Sequence, residues 1–254
     1  MNNTLIDNSI EALSMTATLR KCLAIDGIKT VSIATGYWDI PGLAILQENL
    51  RSFIEKDGTT LRLLIGKDPY IYANQLKSPK YKDANYPLDF IKTDIHELNV
   101  TEEYKDAIRL LLDYCTENND SKIQIRVFRK NENDETQFLH SKCYIFDGKS
   151  NGIGIVGSTN FTQKGLQGNA ELNYIETAPN QVLSLDKIPG NKSHLIWFTE
   201  KWEISEPWNK QFLEQILKSA PITDDVEKER ESEQQLFTPY EPYIKLLQIK
   251  FSDI

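Results

Sequence analysis

The residue types that carry chemistry cluster between positions 140 and 171. They are His140, Lys142 and Asp147 in one short run, then Gly157, Ser158 and Asn160, then Glu171. The segment His140-Ser141-Lys142-Cys143-Tyr144-Ile145-Phe146-Asp147 reads as a strand, so alternation projects His140 and Lys142 to the same side. A proton carrier or nucleophile then stands beside a fixed positive charge. Ser158 and Asn160 also share parity, in a Gly-led turn at the end of the apolar run Ile153–Val156. Glu171 is close enough in sequence to reach a histidine ring nitrogen and fix its tautomer.

These groups suit phosphodiester cleavage without a metal. An imidazole can attack phosphorus and divide one hard displacement into two easier ones. An ammonium and a carboxamide can hold the charge that builds on the phosphoryl oxygens. A second imidazole must protonate the leaving alkoxide. Besides His140 the chain has only His96 and His194, and neither opens a His-x-Lys pattern. The second histidine is therefore expected from a second copy of the chain across a two-fold axis.

His140-x-Lys142-x4-Asp147, followed by Gly157-Ser158-x-Asn160 and an acidic residue at Glu171, resembles the HKD motif of the phospholipase D superfamily. The single motif resembles the nuclease branch, in which two subunits build one active site. Phospholipases and cardiolipin synthases usually carry two motifs. The resemblance implies a phospholipase D-like α/β/α sandwich with a mixed, largely parallel sheet, and metal-independent activity with no cofactor. It implies His140 as the nucleophile that forms a phosphohistidine and the partner subunit's His140 as general acid. Lys142 and Asn160 would bind phosphate oxygens, Ser158 would support that pocket, and Glu171 would orient His140. Asp147 belongs to the motif but has the opposite strand parity, so it and Gly157 are expected to be structural.

The surrounding sequence reads as alternating helices and strands. Residues 4–25 place apolar side chains at helical spacing, and Thr30–Ile33 reads as a strand leading to Gly36-Tyr37-Trp38. Pro41 can open a helix carrying Leu43, Leu46, Leu50, Phe53 and Ile54, closed at Gly58. Leu61–Ile65 reads as a buried strand, Glu102–Cys115 as a helix and Ile123–Phe128 as a strand. Lys142–Phe146, Ile153–Val156 and Leu172–Ile175 complete the sheet. Residues 192–219 read as two helices broken at Pro207, their tryptophans at 197, 202 and 208 spaced for a core or a dimer contact. The alternation predicts an α/β layered fold. The nuclease domain is expected over 1–220, with an acidic linker and a short helix over 221–254; residues 224–233 hold six acidic side chains, and Tyr240–Phe251 is amphipathic.

Composition narrows the partners. The 254 residues carry a formal net charge of −8 and are 40% hydrophobic, which fits a folded chain and disfavours general adhesion to DNA or to an anionic membrane. A local basic surface remains open, because residues 121–170 hold seven basic side chains against four acidic ones. Arg129 and Lys164 from this stretch, and Lys80 and Lys82 from the Tyr- and Lys-rich segment 67–93, are the candidate DNA contacts. Cys22, Cys115 and Cys143 are odd in number and far apart, which argues against disulfides and a cysteine-based metal site and predicts a reducing, cytoplasmic setting. No basic n-region or apolar run of membrane-spanning length is present.

Thr238-Pro239-Tyr240-Glu241-Pro242-Tyr243 resembles the junction that follows the phospholipase D-like domain of some bacterial helicases linked to restriction and phage defence. The 254 residues hold no Walker motif, so this resemblance implies a helicase or ATPase partner, or a motor domain absent from this sequence. The expected function is a homodimeric DNA endonuclease in restriction or phage defence. Phospholipid hydrolysis, or a non-catalytic DNA-binding module serving a helicase, are the alternatives.

Overall fold

The computed structural model describes residues 5–66, 102–117, 120–128, 139–148, 151–186, 190 and 192–215. Lys80, Lys82, Arg129, His96, the acidic run 224–233 and the segment 238–251 lie outside them. The strands are β1 (Leu5–Ile6), β2 (Ile28–Thr35), β3 (Thr60–Ile65), β4 (Ile123–Val127), β5 (Lys142–Gly148), β6 (Gly152–Gly157), β7 (Asn173–Glu176) and β8 (Glu206–Pro207). The helices are α1 (Met15–Leu23), α2 (Ile40–Ile45), α3 (Gln47–Ile54), α4 (Glu102–Tyr114), α5 (Pro179–Val182), α6 (His194–Glu203) and α7 (Asn209–Gln215).

All these strands form one sheet in the order β1-β7-β6-β5-β2-β3-β4-β8. The sheet is mixed as expected, but it is not largely parallel. Only β2–β3 and β3–β4 run parallel, while every other pairing is antiparallel. A parallel step needs a crossover of about a dozen residues or more. Helices α2 and α3 lie between β2 and β3, and α4 lies between β3 and β4. By contrast β5 ends at Gly148 and β6 begins at Gly152, which leaves room only for a hairpin.

Alternation along the strands gives the sheet two apolar faces. Val31, Ile33, Leu61, Leu63, Ile125, Tyr144 and Phe146 face one way and join the core formed with Leu19, Leu43, Phe53 and Leu111 from α1–α4. Ala34, Leu64, Cys143 and Ile145 face the other way and meet Val182 of α5 with Phe198 and Trp202 of α6. The result is the expected α/β/α sandwich. Trp38, Trp202 and Trp208 are buried, so their helical or strand-end spacing reflects packing.

Three local departures from the sequence pattern have identifiable causes. The periodic stretch 4–25 becomes helical only at Glu11, and α1 starts at Met15, where Ser14 caps it by accepting from the Ala17 amide. Upstream, Asn8 sits at φ 59°, donates its amide to Gly165 O (2.9 Å) and Asn169 O (3.1 Å), and accepts from Met15 N (2.8 Å). That clamp takes Leu5–Ile6 out of the helix and into the sheet edge beside β7. The helix opened by Pro41 divides at Leu46, whose backbone (φ −112°, ψ 4°) interrupts it between α2 and α3. Around Pro207 the chain adds the short edge strand β8 between α6 and α7.

Candidate active site

Register decides what meets at the site. Lys142 at the start of β5 lies opposite Gly157 at the end of β6, so His140 and Ser158 leave the hairpin at the same edge. The carboxyl end of β2 arrives beside them, because Ala34 pairs with Cys143 in the antiparallel β2–β5 ladder. The site therefore lies beyond the carboxyl ends of β2, β3 and β6, where ligands bind in open α/β sheets.

Two glycines let the chain reach this place. A Cβ on Gly66 would sit 2.0 Å from the Leu139 carbonyl oxygen, so the segment leading to His140 crosses directly over the end of β3. A Cβ on Gly36 would lie 3.4 Å from Asn160 Oδ1, 3.6 Å from Leu139 O and 3.7 Å from His140 Cδ2. The imidazole and the carboxamide thus converge over one point at the end of β2.

Lys142 is 5% exposed, and its ammonium donates to the His140 carbonyl at 2.8 Å. The lysine folds back on the residue it accompanies, which places a buried positive charge beside the histidine. Asn160 Oδ1 faces the Tyr37 amide (3.3 Å) and the Thr35 hydroxyl (3.3 Å). With its oxygen committed to those donors, the Asn160 amide nitrogen is the end left to bind an anionic oxygen.

Ser158 and Glu171 form the opposite wall. The Ser158 hydroxyl donates to Glu171 Oε2 and accepts from the Leu172 amide (3.0 Å), while Asn169 Nδ2 donates to Glu171 Oε1 (3.2 Å). A Cβ on Gly157 would stand 2.3 Å from Leu172 O and 2.6 Å from Asn173 Cα, so the motif glycine is required by the approach of the chain entering β7. Asn173, buried at that entry, accepts from the Thr159 amide (3.3 Å) and donates to its hydroxyl (2.8 Å). The fully buried Tyr144 donates its hydroxyl to Thr159 O (2.8 Å). Burial, reinforced by the charge of Glu171, pushes this phenol well above its ordinary range, so it stays a donor. Asp39 ties the far end of the loop, accepting from Gly42 N (2.6 Å) and Gln163 N (3.0 Å).

The structure brings His140, Lys142, Gly157, Ser158, Asn160 and Glu171 to one edge. Asp147 goes elsewhere: it lies five residues into β5 and on the face of Cys143 and Ile145, toward α6. Burial raises its carboxyl, while the charge of Arg62 on β3 lowers it. Arg62 and Arg126 flank the Trp202 ring at 5.9 and 4.9 Å from its centroid, and Arg126 donates to Trp202 O at 2.7 Å. Lys164 is exposed and opens the π-helical turn Lys164–Gly168 that follows Asn160. Sequence reading missed Thr35, Gly36, Gly66, Tyr144 and Asn173. The available signals were a threonine and glycines at strand ends and an asparagine inside the run Leu172–Ile175.

The family model described as cardiolipin synthase, PLD-like domain matches residues 22–188, a span that holds every residue of this edge. The chain belongs to the PLD-like family. Solved structures with a similar chain path include NucT from Helicobacter pylori, 11% identical, covering 80% of this chain and 97% of that one with a TM-score of 0.41. A phospholipase D family member, Nuc from Salmonella typhimurium, is 13% identical over 75% of this chain and 88% of its own, with a TM-score of 0.38. Polyphosphate kinase from Porphyromonas gingivalis is 11% identical over 70% of this chain and 20% of its own, with a TM-score of 0.35. No curated protein sequence matches the chain. Among the described residues of this PLD-like chain, no helix is long and apolar enough to cross a membrane.

Proposed function

We propose that this PLD-like chain is a phosphodiesterase that cleaves DNA through a covalent phosphohistidine on His140. The observation that carries the reading is the meeting of the His140 ring and the Asn160 carboxamide over Gly36, with the Lys142 ammonium 2.8 Å from the His140 carbonyl. A ring nitrogen of His140 attacks phosphorus, and the bond from phosphorus to the leaving alkoxide breaks as a second imidazole donates a proton to it. That imidazole, now neutral, takes a proton from water as the water oxygen attacks phosphorus. The P–N bond breaks, a phosphate monoester leaves, and His140 is regenerated. The Lys142 ammonium and the Asn160 amide nitrogen hold the phosphoryl oxygens throughout. Ser158 keeps the wall opposite in place through its hydrogen bond to Glu171, and the orienting role of Glu171 toward His140 is part of this reading.

In this reading the second imidazole is the partner subunit's His140; among the described residues the other histidine, His194, has its Nδ1 2.9 Å from Gln181 O and opens no His-x-Lys pattern. The site is then complete only in a homodimer. Lys164 contacts the DNA backbone, as do Lys80, Lys82 and Arg129 from outside the described residues. The setting is restriction or phage defence beside a helicase or ATPase, in the cytoplasm. Plasmid nicking in excess EDTA tests the reading: the wild-type chain nicks and His140→Ala does not. A bell-shaped dependence of rate on pH is expected, because one histidine of the pair must be neutral and the other charged. Equal nicking by both chains contradicts the reading.

The cardiolipin synthase description of the matching family model favours a second reading, in which the same chemistry acts on a phospholipid. Phosphatidylglycerol vesicles separate the two. Headgroup release without DNA cleavage assigns the lipid substrate.

A further inference from the structure

We infer that Thr35, together with Gly36, is a positioning pair for phosphoryl transfer: the Thr35 hydroxyl holds the turn whose Tyr37 amide fixes which end of the Asn160 carboxamide faces the substrate, and Gly36 reserves the space in which that carboxamide meets the His140 ring. The inference rests on the phosphodiesterase reading above.

The hydroxyl of Thr35 is fully buried at the last position of β2. It has one proton to give and two lone pairs to offer. Phe161 N donates to it at 3.1 Å, and its own proton is shared between Tyr37 O at 2.6 Å and Asn160 Oδ1 at 3.3 Å. One side chain therefore joins the turn that leaves β2 to the residue after Asn160 and to Asn160 itself. The Tyr37 amide, held in that same turn, donates to Asn160 Oδ1 at 3.3 Å. Were the carboxamide reversed, its NH2 would face the Tyr37 N–H, donor against donor, and its oxygen would turn toward the phosphate. Both consequences are repulsive. The turn at 35–37 thus selects the orientation that presents N–H to the phosphoryl oxygens.

Gly36 completes the arrangement. Its φ is not in the left-handed region, so conformational freedom is not what the position needs. What it needs is space, for a Cβ there touches Asn160 Oδ1, Leu139 O and His140 Cδ2 at 3.4–3.7 Å, ordinary van der Waals distances. A methyl fits. A branched side chain, reaching about 1.5 Å further, does not, and displaces either the imidazole or the carboxamide.

The test is steady-state hydrolysis of bis-p-nitrophenyl phosphate in EDTA, with melting temperature recorded for every variant. Thr35→Val is expected to lower kcat about 10- to 100-fold with KM changed less than about threefold, the pattern of a group needed in the transition state. Thr35→Ser restores the hydroxyl and stays within about threefold of wild type. The deciding measurement is a double-mutant cycle. On an Asn160→Ala background, Thr35→Val is expected to cost less than about twofold, because the group it positions is gone. Full multiplicative loss on that background overturns the inference and makes Thr35 merely structural. If Thr35→Val does not fold, Gly36→Ala and Gly36→Val give the second arm: the alanine variant stays within about threefold and the valine variant loses at least about tenfold. Equal activity of the two glycine variants overturns the inference. His140→Ala with wild-type turnover, or a wild-type chain with none, overturns the phosphodiesterase reading itself.

Discussion

Gly157→Ala is the substitution whose cost the structure fixes most tightly. The added methyl meets Leu172 O at 2.3 Å, Asn173 Oδ1 at 2.4 Å and Asn173 Cα at 2.6 Å, all closer than atoms pack. Two of the three are backbone atoms, so relief comes only by parting the end of β6 from the start of β7, where Gly157 pairs with Asn173. Overpacking of this kind costs about 1–3 kcal/mol. Parting the strands also strains the two hydrogen bonds between Asn173 and Thr159, each worth about 1 kcal/mol. The sum is about 3–5 kcal/mol, which lowers the melting temperature of a chain this size by about 6–20 °C. Ser158 and Asn160 follow Gly157 immediately, and a displacement of about 1 Å in a positioned group costs about 100-fold in rate. Thermal melting with EDTA-resistant phosphodiester hydrolysis reads both effects. Gly168→Ala, where a methyl meets nothing within 4 Å, is the control and leaves both unchanged. A Gly157→Ala chain that melts within 2 °C of wild type and keeps its rate refutes the close-approach explanation of the motif glycine.

Two further expectations concern groups away from the site. Burial holds the Asp147 carboxyl above the usual carboxylate range, with Arg62 opposing. The folded state therefore binds that proton more tightly than the unfolded chain does, and the stabilisation is present in acid and lost as pH rises through the folded value. Asp147→Asn removes the titration, so its melting temperature should climb relative to wild type between about pH 3 and 7; a relative fall would show that Arg62 outweighs burial. Cys22, Cys115 and Cys143 are buried and their thiols pushed up to about 12, which leaves about one in ten thousand as thiolate at pH 8. Iodoacetamide should label none of the three in the native chain and all of them in denaturant, and native labelling at any one would contradict its burial.

The sequence reading reached the site further than it reached the sheet. The grouping of the site residues was legible in part because spacing places His140 with Lys142, and Ser158 with Asn160, at strand ends of matched parity, with Glu171 a short stretch further on; the β5–β6 register brings the two strand ends to one edge. Strand direction was not legible. The runs Leu61–Ile65 and Ile153–Val156 are both mainly apolar, yet one pairs parallel and the other antiparallel. Thr35 and Asn173 were invisible for a different reason. Thr35 falls just past the strand read over Thr30–Ile33 and Asn173 reads as an ordinary strand position, and their importance comes from partners more than a hundred residues away for Thr35 and across a loop for Asn173. The break at Leu46 has no sequence signature at all, because a helical apolar stripe runs straight through it.

The most direct test of the account is to catch the covalent intermediate. Rapid quenching into alkali during turnover of a phosphodiester substrate in EDTA, followed by peptide mass spectrometry, keeps an acid-labile phosphoramidate intact. The account predicts a phosphoryl group on the peptide carrying His140, absent in His140→Ala and increased when the second step is slowed. Sustained EDTA-resistant turnover with no adduct on His140, or with the adduct on another residue, would contradict it.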